Sequence, residues 1–366
     1  MLEFISMEKI FNTSVESPTN YIAQKLIDEL VKKNLSVSFV EGCTGGKLNT
    51  SITIPGSTRA FHMGMVPYSR SSKIDLGVPE AVINKYGEYS PEVAVKMAQS
   101  VRRWKSDLVI STVGQLSASR PFCHVAYSFL KKPVVVETLH FNPGPKPEIK
   151  TKLTETILLH AYSLINHGHI KRDQNEKHFV GVPVIRNASN HRAQFVIELL
   201  KKMGLRISTM ESCTGGEIAS CLTDVDCSSE VFDSAYITYD ENIKQSFGVP
   251  FSSMYNGGVY SKQVAYEMAR AVMLRTNTDI SIGTTGIMET MDTRPFHSGK
   301  PGSIYISILI QNQNPIVKAL KLHPTLTTTR EQLKEIIVNH IFDLLINRLS
   351  AQKKDDKVDY SSNLYI

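Results

Sequence analysis

No apolar run in this 366-residue chain approaches the roughly 20 residues needed to cross a bilayer, which argues against a membrane protein. The opening stretch, MLEFISMEKIFNTSVESPTN, lacks a basic segment followed by a long apolar one, so no secretory leader is read there. Cysteine is scarce and odd in number. The five residues Cys43, Cys123, Cys213, Cys221 and Cys227 follow neither metal nor disulfide spacing, a usage that fits a reducing, cytoplasmic compartment. Charge of one sign is also in short supply: a net charge of +6 tolerates anionic small molecules but is too weak to argue for nucleic acid. What the chain does have is 42% hydrophobic and 21% charged residues, the balance of a soluble globular protein. Its length suits two domains, each with a full core.

A long internal repeat organises those domains. LIDELVKKNLSVSFVEGCTGG in the first half returns as VIELLKKMGLRISTMESCTGG in the second, so Glu41 is matched by Glu211. In the same order, YSRSSKIDLGVP pairs with YDENIKQSFGVP, YSPEVAVKMAQSV with YSKQVAYEMARAV, and SDLVISTVG with TDISIGTTG. RPF recurs at Arg120 and Arg294, and the closing segments KTKLTETILLHAYSLI and REQLKEIIVNHIFDLL align as well. The chain therefore reads as a tandem duplication, with a first domain over 17–167, a linker over 168–181, a second domain over 182–350 and a polar tail over 351–366. The polar stretch from Asn166 to His178 reads as the separating surface segment, and its two closely spaced histidines are expected to be solvated rather than metal-bound.

Within each copy, a helix with apolar spacings of 3 and 4 leads into a short apolar strand, Val37 to Val40 or Ile207 to Met210. The Thr-Gly-Gly turn opens the next helix, with threonine as its expected cap. A second strand, helices and a third strand ending at STVG or GTTG follow. Two hairpin strands then close the copy, turning around Lys131–Lys132 or at QNQN. This alternation predicts an α/β fold: two tandem three-layer α/β/α domains, each with a mostly parallel, mixed sheet and an antiparallel edge.

The two halves differ where chemistry would sit. In the second, Ser212 stands at a strand end, just before a glycine-rich turn into a helix, a place where free backbone N–H groups can hold an oxyanion or a phosphate. Serine needs a base, and the following strand is succeeded by Tyr239 and Lys244. A lysine can serve once burial and a helix N-terminus depress its pKa by roughly 2–3 units from about 10.4. Taken alone, Ser-Cys-Thr-Gly-Gly is also an ordinary capped turn, and Tyr-x4-Lys carries almost no information.

The ordered set ESCTGG, YDENIK with GVP, YSKQVAYEMA, TDISIGTTGI and KPGSIYISI resembles the CinA C-terminal domain family, which comprises the bacterial nicotinamide mononucleotide (NMN) deamidases. Both halves resemble it over nearly their whole length. The resemblance implies hydrolysis of the NMN carboxamide to nicotinic acid mononucleotide and ammonia by a Ser–Lys mechanism, with no metal and no cofactor. Carried over by position, Ser212 is the nucleophile and Lys244 the general base, while Tyr239 either orients the pair or shares the proton. Thr214, Gly215, Gly216, Thr285, Gly286 and Arg330 are the expected substrate-binding residues. Arg330 either meets the substrate phosphate or only solvates the start of the last helix. The family's TGIAGPxGG loop is replaced by TGIMETMDTRPFHSGKPG, Thr285 to Gly302, and Lys334 replaces a second arginine.

The first half departs further. Gly42 replaces the serine, the third-strand loop is shorter, and Lys150 is read as standing where the second copy has Arg330. Tyr68 and Lys73 remain, but a base without a nucleophile cannot run covalent hydrolysis. Cys43, matched by Cys213, is expected to be a packed small hydrophobe. The first domain is thus expected to be a degenerate copy paired within the chain with the second, leaving further self-association open. The partners expected are a small nucleotide substrate, no nucleic acid and no membrane. A different class stays open beside the amidohydrolase, namely a non-catalytic protein that binds a nucleotide or a partner.

Overall fold

The computed structural model describes residues 17–101, 104–170, 187–288, 299–323 and 328–355. Its elements follow the repeat. The first copy holds α1 (Pro18–Lys32), β1 (Val37–Glu41), α2 (Lys47–Ile52), β2 (Phe61–Pro67), α3 (Arg70–Leu76), α4 (Glu80–Tyr86), α5 (Pro91–Ser100), β3 (Leu108–Gln115), β4 (Phe122–Phe129), β5 (Val135–His140) and α6 (Lys146–His167). The second holds α7 (Asn187–Met203), β6 (Ile207–Glu211), α8 (Glu217–Asp224), β7 (Phe232–Ile237), α9 (Glu241–Ser246), α10 (Phe251–Gly257), α11 (Lys262–Thr276), β8 (Ile280–Ile287), β9 (Ser303–Ile310), β10 (Ile316–Lys321) and α12 (Arg330–Asp355).

Two compact units form, and their boundary does not follow the repeat. Of the described residues, the first unit takes in those up to Ile170 together with Gly215–Ser220 and Asp233–Phe247, and the second takes in Asn187–Thr214, Cys221–Phe232 and those from Gly248 onward. In the first unit the strands run β7-β2-β1-β3-β4-β5. β1 pairs in parallel with β2 and β3, while β4 and β5 form the antiparallel edge. β7, from the second copy, runs antiparallel to β2 with Gly64 opposite Ile237 and Pro67 opposite Ser234. In the second unit the order is β10-β9-β8-β6, parallel between β6 and β8 and antiparallel beyond. Both units are mixed α/β.

The helices cover the first unit's sheet as two groups. α1, α2 and α6 pack on one another, while α5 lies on β1, β3, β4 and β5 and gathers α3 and α4. α1 shows why its residues form a helix. Ser17 accepts the Asn20 N–H as N-cap, Pro18 occupies the first turn, and Ile22, Ala23, Leu26, Ile27 and Leu30 bury one face. β1 is buried along its whole length, as a central strand covered on both faces must be.

Three sequence readings shift. α6 continues to His167 and stops at Gly168, whose left-handed backbone caps it, so the segment read as linker from Asn166 opens inside a helix. The rest of that linker, to residue 181, and residues 182–186 of the second domain lie outside the described residues. α12 runs to Asp355, five residues into the stretch read as tail. The pairing of the closing helices also moves by four residues. Ile149, Lys150, Leu153, Thr154, Ile157 and Leu158 of α6 are buried in the same spacing as Leu333, Lys334, Ile337, Val338, Ile341 and Phe342 of α12. Lys150 therefore corresponds to Lys334, and the counterpart of Arg330 is Lys146, the first residue of α6. Matching one basic residue to another gives a register four residues off; the buried stripe sets the true one.

Candidate active site

β1 and β6 each run into the same turn, and in the first unit a carboxylate organises it. Glu41 is fully buried and accepts hydrogen bonds from the N–H groups of Gly46 at 2.9 Å, Leu48 at 3.0 Å and Asn49 at 2.7 Å. These are the orphan donors at the start of α2, where a negative charge is favoured. Burial pushes the Glu41 carboxyl pKa up, and the three bonds from the turn and helix oppose it. The threonines do something other than the capping expected of them. The Thr44 hydroxyl meets that of Thr112 on β3 at 2.7 Å, and in the second unit the Thr214 hydroxyl meets that of Thr284 on β8 at 2.9 Å. Sequence reading missed the glutamate, although its return as Glu211 was the signal that could have found it.

The glycines of the two turns meet within the first unit. Gly46 and Gly216 both hold left-handed backbones, with φ of +105° and +99°. A Cβ on Gly46 would lie 2.6 Å from the Gly216 carbonyl oxygen, and one on Gly216 would lie 3.0 Å from the Asn49 Cβ. A side chain on Gly215 would run into Thr53. Gly215 and Gly216, read from sequence as substrate contacts, thus have packing roles against the first copy.

One position separates the copies chemically. The Ser212 N–H donates to the Thr284 carbonyl at 3.0 Å, and the Gly42 N–H donates to the Thr112 carbonyl at 2.7 Å. A Cβ on Gly42 would sit 2.6 Å from that same Thr112 oxygen. The first copy has closed its backbone over the space that the second leaves for a hydroxymethyl group, and Ser212 is itself 5% exposed.

The lysines diverge too. Lys244 is fully buried, its ammonium nitrogen donating to the carbonyls of Thr238 at 2.6 Å and Tyr239 at 3.3 Å. Lys73 is buried as well, donating to the carbonyls of Tyr68 at 3.0 Å and Ser69 at 3.4 Å and to the Glu88 carboxylate at 2.8 Å. Burial lowers the Lys73 pKa, and Glu88 pulls it back up. In the second copy the residue matching Glu88 is Val259, so the sequence carries no carboxylate at that place. Tyr239 is half-buried, its ring edge-on to Phe61 at 5.9 Å. Its counterpart Tyr68 accepts a hydrogen bond from Lys146 at 3.3 Å.

Arg330, at the first position of α12, lies within electrostatic reach of Cys213. The Cys213 thiol is pushed up to about 12, chiefly by burial, with Arg330 acting the other way. The second unit thereby gathers Ser212, Thr214, Thr284 and Arg330 about one turn. Thr285 is buried and donates its hydroxyl to the Val259 carbonyl at 3.0 Å, while Gly286 pairs with Ile304 in the β8–β9 ladder. Of the altered loop from Thr285 to Gly302, residues 289–298, Arg294 included, lie outside the described residues. Gly215, Gly216, Tyr239 and Lys244 belong to the first unit and Ser212 to the second, so the pairing of Ser212 with Lys244 rests on motif order. Among the described residues, no group of three or more His, Cys, Asp or Glu residues could hold a metal ion, and no helix is long and apolar enough to cross a membrane.

Two parallel-cored α/β copies, each with a glycine turn after its first strand, define the class. The model of the CinA C-terminal domain matches residues 19–121 and 189–349, and the chain belongs to that family. A putative competence-damage inducible protein of Caldanaerobacter subterraneus subsp. tengcongensis is 31% identical over 164 residues, 44% of this chain and 38% of that protein. A protein of the same description from Caldicellulosiruptor saccharolyticus is 37% identical over 123 residues, 32% of this chain and 29% of that one. The chain thus spans well under half the length of these curated relatives. The crystal structure of the competence/damage inducible protein CihA from Agrobacterium tumefaciens is 24% identical, covers 46% of this chain and 99% of that chain, and has a TM-score of 0.41.

Proposed function

We propose that the second copy is an amidohydrolase that deamidates NMN, or a close pyridine nucleotide, to the corresponding acid and ammonia. In this reading the Ser212 hydroxyl attacks the carboxamide carbon while neutral Lys244 takes its proton. The oxyanion of the tetrahedral intermediate is held by backbone N–H groups of the turn ahead of α8. Collapse passes the proton from Lys244 to the departing nitrogen, which leaves as ammonia. Water, deprotonated by the same lysine, then hydrolyses the acyl-serine. Tyr239 orients the pair or shares the proton. Removing an ammonium from water disfavours its charged form, the direction a general base requires. Arg330, beside the turn that carries Ser212, is the proposed partner of the substrate phosphate.

The observation that carries this reading is the difference between the copies at one position. Only the second keeps both the room and the hydroxyl at the strand end. The test is ammonia release by the full chain from NMN, nicotinamide riboside, NAD and nicotinamide. NMN is expected to be turned over fastest, because it alone joins a free carboxamide to a single terminal phosphate. No ammonia from any of the four, with NMN binding retained in a titration, would favour the other reading, a nucleotide-binding protein without turnover. The altered loop from Thr285 to Gly302 is the feature that speaks for it.

A further inference from the structure

The first copy lacks the serine of its turn but brings two sulfurs together there. Cys43, in the turn after β1, has its Sγ 3.2 Å from the Sγ of Cys123 on β4, although 80 residues separate them in sequence. Cys123 is fully buried opposite Gly114 of β3, and Cys43 is 8% exposed. The second copy has only half of this arrangement. Cys213 matches Cys43, but the residue matching Cys123 by strand register is Ile304, opposite Gly286. We propose that Cys43 and Cys123 are an oxidisable dithiol that closes to a disulfide when the chain meets a peroxide.

The geometry asks for little movement. A disulfide bond is about 2.05 Å long, so the sulfurs must approach by about 1 Å. Burial and the Cys43 thiol hold Cys123 well above the ordinary thiol range, so Cys123 stays protonated, and the more accessible Cys43 reacts first. Lys73 lies within electrostatic reach of Cys43. The Cys43 thiolate attacks one peroxide oxygen, giving a sulfenic acid and, after proton transfer, one water. The Cys123 sulfur then attacks the sulfenic sulfur, forming the S–S bond and expelling hydroxide, which takes the Cys123 proton and leaves as a second water. Two thiols lose two electrons and two protons, and one hydrogen peroxide is reduced to two waters.

The experiment treats the full chain with hydrogen peroxide, alkylates remaining thiols under denaturing conditions, and maps the digest by mass spectrometry. The expected result is a linked Cys43–Cys123 peptide, lighter than the two free peptides by two hydrogens and restored by a thiol reductant. Cys213 and Cys221, both buried, should be recovered as thiols. In Cys123→Ser, Cys43 should accumulate as a sulfenic acid trapped by dimedone. Cys43→Ser should abolish the linked peptide while Cys123 is recovered as a thiol. Oxidation confined to the exposed Cys227, with Cys43 and Cys123 both alkylated, overturns the proposal, as does a disulfide joining Cys43 to any other cysteine.

Discussion

At Gly42 and Ser212 two versions of one turn are bound to the neighbouring strand by the same backbone hydrogen bond, yet only one has room for a side chain. Around that point the first copy has turned its polar groups inward. Lys73 pairs with Glu88, Lys146 with Tyr68, and Cys43 with Cys123. The second copy has Val259 and Ile304 where two of those partners stand. On the proposed reading of Ser212, a duplicated site is lost as a set. In that reading, a copy without the serine leaves its remaining groups free to satisfy one another, and it keeps what the packing needs, such as Glu41 beneath the helix turn.

The sharpest way to break the comparison is to remove the hydroxyl. Ser212→Ala is expected to lower amide hydrolysis by on the order of 10³-fold or more, about 4 kcal/mol of transition-state stabilisation. Lys244→Arg should be nearly inactive, since guanidinium cannot accept the proton, whereas Lys73→Arg should leave turnover near that of the parent. Equal losses from the two lysine variants would show that the copies share the chemistry.

Removing a whole copy comes next. A chain beginning at Val182 lacks β2, the strand on which β7 pairs, and so exposes the β7 backbone edge. Such a fragment should self-associate or melt well below the full chain in light scattering and calorimetry. A stable, fully active monomer would end the idea that the first copy is kept as a docking partner.

Smaller effects sharpen the contrast within the first copy. Glu41→Ala strands three backbone donors in a dry interior and should cost about 3 kcal/mol in denaturant unfolding. Gly42→Ser forces a Cβ against the Thr112 carbonyl, at a cost of about 1–3 kcal/mol, and should restore no second activity. The least change is expected from Glu88→Gln, about 1–2 kcal/mol, with a pH signature. The folded pKa of Lys73 lies below its unfolded value, so between the two the unfolded chain binds more protons and stability rises with pH. Losing Glu88 lowers the folded value further and widens that window downward. The variant should therefore gain more stability on alkaline titration than the parent, and identical slopes would show that the pair is not coupled.

Much of this could be read in the letters. The repeat, the hairpins at Lys131–Lys132 and QNQN, and the strand-turn-helix around Glu41 and Glu211 follow from local pattern and turn chemistry. Three things could not be read. Glu41 caps a helix from five to eight residues upstream, so a search for capping residues beside the helix stops at threonine. Cys43 and Cys123 meet only because β4 folds back beside β3, a non-local pairing that spacing rules do not see. The correspondence of α6 with α12 is set by their buried faces rather than by like charges, so a match of Lys150 to Arg330 by charge falls out of register.

The tight approach at Gly42 has a consequence for how such a protein can change over generations. A serine placed there would bring its side chain where the main chain already lies against the Thr112 carbonyl. Accommodating the group would require the third strand to shift first. On the proposed reading, the packing at Gly42 acts as a ratchet that keeps the two copies an unequal pair.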